Sequence, residues 1–207
     1  MSTSDPSKFD PFDPSEPIGP DRPNALQDHL LFTIFVCNKQ ADRTRQVLNQ
    51  FYEDVRIHES PFSYVARLIR ERKLDRRLKA CRCGQYGRIG KALRQLIQKK
   101  IDVTTCTLDQ LESIHGIGQK SSRFFLMYGR GIKDVAVLDT HVLRWLHQCG
   151  VKNVPRSTPT SKTKYRELEQ TFLKLCEDLK MEPNKLDFTV WKTGAELHRQ
   201  KKGGDDG

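Results

Sequence analysis

Between Lys162 and Leu179 the apolar residues Tyr165, Leu168, Phe172, Leu175 and Leu179 recur at steps of 3, 4, 3 and 4. That is the period of one face of an α-helix, and no alternating strand pattern competes with it elsewhere in the chain. Leu26, Leu30, Ile34 and Cys37 share a second such face, which Phe32 and Phe35 widen, so a helix starting near Ala25 is predicted at the centre of a core. Another helix covers about Arg43–Tyr52. Ser60-Pro61 has the form of an N-cap followed by proline at the first helical position, and it opens a helix carrying Tyr64, Val65, Leu68 and Ile69. Cys81–Gly90 reads as a Gly-rich turn. Ile89, Leu93, Leu96 and Ile97 mark the next helix, and Thr107 caps a short one that ends at Ile114. After the loop Pro155–Thr160 and the stripe above, Pro183 opens a last helix with Leu186, Val190 and Leu197 on one face. The fold class is all-α, with about eight to ten helices.

At 207 residues the chain is long enough for one domain, or two small ones sharing a core. Apolar residues are 36% of it, below the globular average of about 45–50%, but ten Phe, five Tyr and two Trp still supply a core. The most apolar stretch, Leu30–Cys37, falls far short of the roughly 18 residues a bilayer requires. No basic start leads into an apolar run, so neither a membrane-spanning nor a secreted protein is expected. The six cysteines, without a signal peptide, read as free thiols. Cys81-Arg-Cys83 is spaced too tightly for zinc and lacks a second ligand pair, and no run of four cysteines exists for an iron–sulfur cluster, so no metal site is expected.

Lys and Arg number 36 against 26 acids, a net charge of +10. Residues 1–23 carry five of the acids and two of the bases, which leaves +13 on the other 184 residues. A compact basic body of this size fits a polyanionic partner, although simple solubility would need the same charge. The Ser-, Asp- and Pro-rich residues 1–23 read as an extended arm, wrapped on the body. The helical domain follows over 24–198, and 199–207 reads as a frayed tail.

The segment Leu108–Leu146 carries the chemistry. A short helix ends at Ile114, His115-Gly116-Ile117-Gly118 turns the chain, and a second helix starts at Gln119. Two glycines one residue apart permit a sharp turn and leave amides at the positive end of a helix, which suits a phosphate. Ile114 and Ile117 would pack the helices together, giving a helix–hairpin–helix over about 108–130. Lys120 lies in the first turn of the second helix, where a cation is electrostatically misplaced. That works toward a neutral, nucleophilic amine, but a plain phosphate contact explains the residue equally well. Farther on, Val135–Leu138 is an apolar connector that delivers Asp139 to the start of a helix. Asp139 is either an N-cap alone or, opposite Lys120, a carboxylate for a cationic sugar.

GIGQKSSRFF followed by VAVLDTHVLRWL resembles the helix–hairpin–helix DNA glycosylase superfamily, which carries a Gly-Val/Ile-Gly-x-Lys turn and a catalytic Asp about twenty residues later. LLFTIFVCNKQAD (Leu30–Asp42) is similar to that family's first core helix and following loop. LDFTVWKTGAEL (Leu186–Leu197) is similar to the last helix of its type-two 8-oxoguanine DNA glycosylase/AP lyase branch. The likeness spans roughly residues 25–198. It implies two small helical subdomains flanking a DNA-binding cleft, and removal of a damaged base, 8-oxoguanine first, from duplex DNA through a Schiff base on Lys120 with Asp139 as the acidic partner. It further implies DNA contacts at Gly116, Ile117, Gly118 and His141, and entry of Asn38, Lys39 and Gln40 into the duplex. Trp191 and Lys192 are implied for the base pocket, though a core tryptophan and a surface lysine are the plain alternatives. The missing iron–sulfur cysteines depart from the endonuclease III and adenine-mismatch branches. The continuation through Arg199–Gly207 departs from type-two enzymes, which end near their base pocket. Expected with this reading are a monomer acting on DNA in a nucleoid or nucleus, no soluble cofactor, and at most a monovalent cation on the hairpin carbonyls. The alternatives are the same chemistry on an oxidised pyrimidine or mismatched thymine, and a non-catalytic DNA-binding module.

Overall fold

A computed structural model describes residues 17–36 and 41–203, with side chains through residue 194. Its centre is α1 (Pro23–Val36), in which Leu26, Leu30, Leu31, Ile34 and Phe35 are fully buried. A helix that is apolar on nearly every side belongs inside a core. Packed against α1 are α2 (Ala41–Phe51), α3 (Pro61–Arg70), α5 (Tyr86–Gln98), α7 (Gln119–Phe124) and a single π turn, Phe125–Gly129. Helix α4 (Leu74–Ala80) fills the space among α2, α3 and α5, and α6 (Leu108–Glu112) packs on α7. The predicted caps form. Ser60 Oγ accepts from the Ser63 amide, and Thr107 with Gln110 makes a full capping box. The segment predicted as a turn over Cys81–Gly90 is shorter than that. Gln85 at φ 45° reverses the chain, and α5 starts at Tyr86, which lets Ile89 join its buried face.

A second core holds α8 (Thr140–Gln148), α9 (Lys162–Asp178) and α10 (Pro183–Gly203), built on Leu143, Leu146, Tyr165, Phe172 and Leu186. The two cores meet at residues 135–138. Val135 and Val137 point into the first core, Ala136 and Leu138 into the second. Extended backbone sends successive side chains to opposite sides, so four consecutive apolar residues can serve two cores. No strand pairs with this connector among the described residues, and side chains take a strand's place. Tyr165 Oη accepts from the Leu138 amide at 3.1 Å and donates to the Ala136 carbonyl at 2.9 Å. Glu169 accepts from the Ala136 amide at 2.9 Å, and Thr158 donates to the Leu138 carbonyl at 2.8 Å. The backbone accounts are thereby closed where no sheet exists.

The predicted tail from Arg199 is corrected: α10 runs through Gly203. Residues 195–202 contain no Gly or Pro and are mostly good helix formers, so the helix continues to the first glycine. Of the arm, residues 17–22 are described. The amides of Ile18 and Gly19 donate to the carbonyls of Tyr128 and Gly129, pinning the arm's end to the π turn. Arg67 is buried and binds Glu59 through two nitrogens, at 2.7 and 2.8 Å.

Candidate active site

The hairpin forms as the glycines predict. The Ile114 amide closes on the Leu111 carbonyl, and the Ile117 amide on that of Ile114. Ile114 and Ile117 are buried beneath the turn. The two glycines have different reasons. Gly116 sits at φ +83°, and a Cβ there would press on the Arg88 side chain at 3.0 Å. Arg88 in turn donates to the Ile34 carbonyl at the end of α1, tying the hairpin to the central helix. Gly118 has an ordinary φ of −102°, and a Cβ there would meet nothing within 4 Å. Neither the turn nor the protein's own packing demands a glycine at 118. Its bare backbone faces open space at the start of α7, and among the described residues no side chain caps that start. Lys120, the second residue of α7, is exposed beside it.

Asp139 caps α8. Its Oδ1 accepts from the amides of His141 and Val142 at 2.8 and 2.9 Å. Both bonds fall on one oxygen, so the carboxylate is held in orientation and its other oxygen is not used by the cap. The N-cap alternative and the sugar-facing alternative are therefore compatible in one residue.

A buried seam sets the spacing between α7 and Asp139. Arg123 on α7 binds Glu169 of α9 at 2.6 and 3.1 Å and Glu112 of α6 at 3.0 Å. Its guanidinium lies 4.3 Å from the centroid of the Tyr165 ring. Burial opposes the charge on Arg123, but Glu169, Tyr165 and Glu112 together more than offset this and raise its pKa. Glu169 and Tyr165 are the same side chains that hold the connector leading to Asp139. At the helix start, Gln119 Nε2 donates to the carbonyls of Pro159 and Thr160.

Lys120 and Asp139 both act electrostatically on a third residue, Asp187 of α10. Asp187 is 6% exposed and accepts from the Tyr128 hydroxyl of the π turn. Burial is the main cause that raises its pKa to about 7; Asp139 pushes it further up, while the Tyr128 bond and Lys120 pull it down. Both predicted residues thus lie within electrostatic reach of one buried carboxyl. From solvent inward the order is Lys120 exposed, Asp139 half-buried, Asp187 buried.

The family model described as "8-oxoguanine DNA glycosylase" matches residues 19–181, well over half of the chain. The chain belongs to the 8-oxoguanine DNA glycosylase family. Among curated proteins it is similar to the 8-oxoguanine DNA glycosylase/AP lyase of Thermoplasma acidophilum, at 33% identity over 39% of this chain and 37% of the relative. The counterpart in Methanocaldococcus jannaschii is 32% identical over 42% of each chain, and that of Metallosphaera sedula 31% over 53% and 51%. The chain therefore spans only about two fifths to half of the length of these relatives. The crystal structure of the 8-oxoguanine DNA glycosylase of Thermotoga maritima superposes with a TM-score of 0.58, at 19% identity, over 81% of this chain and 78% of that one. That likeness extends the all-helical glycosylase fold to most of the chain.

The remaining positions singled out for this 8-oxoguanine DNA glycosylase family member fall as follows. Asn38, Lys39 and Gln40 lie outside the described residues. Trp191 is no core residue: it is 45% exposed and stacks on Phe188, with ring centroids 6.1 Å apart. Lys192 is exposed beside it. His141 is half-buried, and its Nδ1 is turned toward Gly194, where any Cβ would collide with the ring. That contact accounts for the glycine in the Trp191-x-x-Gly194 element. Sequence reasoning missed Arg123, Glu169, Tyr128 and Asp187. The available signal was polarity out of place: Asp187 lies between the buried Leu186 and Val190, and Glu169 between Leu168 and Phe172. Among the described residues no group of three or more His, Cys, Asp or Glu could hold a metal, and the five described cysteines are free thiols. No described helix is long and apolar enough to cross a membrane.

Proposed function

We propose that this protein is a DNA glycosylase with AP lyase activity that removes 8-oxoguanine from duplex DNA. What carries the reading is the pairing of an exposed Lys120 at the hairpin with Asp139, whose cap leaves one carboxylate oxygen unused, in a chain of the 8-oxoguanine DNA glycosylase family. A damaged base inside a duplex is out of reach, so the nucleotide is flipped out at a cost of a few kcal/mol. The bare start of α7 at Gly118 receives a phosphate near the lesion and reads no sequence. Trp191, exposed on α10, offers a face for the flipped base, with Lys192 next to it. His141 together with Asn38, Lys39 and Gln40 completes the duplex contacts. As the glycosidic bond breaks, positive charge grows on the sugar, and Asp139 stabilises it. The amine of Lys120 attacks C1′ while the bond to the base breaks, and the bonding pair leaves with the base. The ring then opens to a Schiff base, and β-elimination releases the 3′ phosphate. The enzyme acts as a monomer inside the cell, where its DNA is, and uses no soluble cofactor; the hairpin's main-chain carbonyls are the place for a monovalent cation.

The test is borohydride trapping on a panel of duplexes, each with one lesion. A covalent complex on 8-oxoguanine DNA that disappears in Lys120→Gln is the expected result. Full trapping by Lys120→Gln removes the nucleophile. Trapping only on an oxidised pyrimidine or a thymine mismatch reassigns the substrate, and salt-sensitive binding without any nick leaves a binding module.

A further inference from the structure

Helix α4 ends in a turn that the glycosylase reading does not use. Arg82 takes the left-handed backbone, φ 51°, and its amide donates to the Lys79 carbonyl at 3.1 Å, while the Cys83 amide closes on that of Leu78 at 3.5 Å. This is the paired closure of a helix C-terminus in which the left-handed residue stands just past the cap. It sets Cys81 at the cap and Cys83 just beyond the reversal, so both side chains come round to one carbonyl. Cys81 Sγ and Cys83 Sγ each donate to the Leu78 oxygen at 3.3 Å. Two sulfurs on one oxygen are neighbours. That oxygen has two lone pairs and, with the Cys83 amide, faces three donors, so one thiol is left to bond the other sulfur. Both residues are 1% exposed, but the site is not sealed. A surface pocket of ≈ 560 Å³ reaches it, with Cys81 on its wall beside Asn49, Gln50 and Arg82.

The other described cysteines stand apart. Burial pushes the thiols of Cys106, Cys149 and Cys176 up, that of Cys176 to about 11. Cys81 goes the other way, to about 7. The Cys83 thiol donates to its sulfur, and this, with the amides of Cys83 and Cys81 and the charge of Arg77, outweighs burial. A thiolate with a second thiol against it and a path to solvent is the arrangement on which oxidants act. Metal binding is the competing use of two sulfurs, but no third His, Cys, Asp or Glu joins them among the described residues. Independently of the glycosylase reading, we propose that Cys81 and Cys83 form a redox site, in which a hydroperoxide converts the two thiols into an intrachain disulfide across Arg82. The Cys81 sulfur, as thiolate, attacks one oxygen of the O–O bond. That bond breaks; the attacked oxygen stays on sulfur as a sulfenic acid, and the other takes a proton and leaves as water or an alcohol. The Cys83 sulfur then attacks the Cys81 sulfur, the S–O bond breaks, and the hydroxyl leaves as water with the proton of the Cys83 thiol. The two thiols lose two electrons between them, and the peroxide gains them. A small dithiol reverses the reaction by exchange. The left-handed turn at Arg82 suits the product, because it draws the flanking Cα atoms closer than extended chain would, toward the span of a disulfide.

The experiment treats the whole reduced chain at neutral pH with a small excess of hydrogen peroxide, blocks the remaining thiols with an alkylating agent, and maps tryptic peptides without reduction. Trypsin cuts after Lys79, Arg82 and Arg88. The expected product is peptide 80–82 joined to 83–88, or the uncut span 80–88 lighter by two hydrogens, with alkylation lost at both cysteines and restored by dithiothreitol. It should form about tenfold faster or more in the folded protein than in the same chain in denaturant, since the fold is what holds the Cys81 sulfur as thiolate. In Cys83→Ser the second sulfur is missing, and dimedone, which captures sulfenic acids, is expected to label Cys81. Cys81→Ser is expected to give neither the joined peptides nor a label at Cys83. The wild-type map needs no variant, so it decides the matter even where a substitution disturbs folding. Four results overturn the proposal: both cysteines still alkylated, Cys81 joined to a different cysteine, Cys81 carried to sulfinic acid with no disulfide, or a disulfide that forms no faster in the folded protein than in denaturant.

Discussion

Helices α7 and α8 each begin beside a residue of the proposed chemistry, and they begin in opposite ways. At α8 the backbone amides of His141 and Val142 are taken up by the Asp139 carboxylate. At α7 the capping position is Gly118, without a side chain and without anything its Cβ would strike. Every helix start presents amides that the helix cannot satisfy. The protein supplies its own anion at one start, and in doing so fixes in place the carboxylate proposed to face the sugar. It leaves the other start bare, which is where the proposed function seats a phosphate of the substrate. The distance between the two starts is not set by either helix but by Arg123, Glu169 and Tyr165 in the seam beneath them.

The seam provides the largest effect that can break this comparison. Arg123→Met strands Glu169 and Glu112 in the interior, and a loss of about 3–5 kcal/mol is expected, read as a shift of the denaturation midpoint. An unchanged midpoint would show that the two starts are held apart by apolar packing alone. Asp139→Asn separates the two duties of that residue. Asn caps as well as Asp, so stability should change little, while base excision should fall about 100-fold, near 2.7 kcal/mol of barrier. Equal losses in stability and rate would reduce Asp139 to a cap. The hairpin glycines come next. Gly116→Ala forces φ +83° and a contact with Arg88, at an expected cost of about 1–3 kcal/mol in a thermal melt. Gly118→Ala should leave the melt unchanged and weaken duplex binding in a salt titration, because only the phosphate would feel the methyl group.

The smallest effect concerns Asp187, on which Lys120 and Asp139 both act electrostatically. Its pKa is raised from 3.8 to about 7, chiefly by burial. Between those values the native state retains a proton that the unfolded chain has released, so stability from this group is full at acid pH and is lost as pH rises. Asp187→Asn removes that loss. Its melting temperature should therefore gain on the wild type by about 2 °C or more at pH 8 and show no such gain at pH 4. A gain that is the same at both values would mean that Asp187 does not titrate in this range.

Much of the local structure was legible beforehand. The caps at Ser60, Thr107 and Asp139, the hairpin turn and the stripe of α9 depend on residues three or four positions apart, and each forms at or within a few residues of its expected place. The π turn was not legible, because Phe125–Gly129 reads as a plain continuation of α7. Neither was the division of Val135–Leu138 between two cores, since a run of four apolar residues looks the same whether one core or two receive it.

Lys120 and Asp139 are proposed from their spacing and their likeness to a known motif, features that need only the order of residues along the chain. Arg123 meeting Glu169, 46 positions away, and Tyr128 meeting Asp187, 59 positions away, are a different matter. Helical period and capping report on neighbours within a turn, whereas the cost of burying a charge is met by whichever group the folded chain brings alongside. The pairing of those buried groups, and with it the setting of the proposed nucleophile, came only with the packing of the second core against the first.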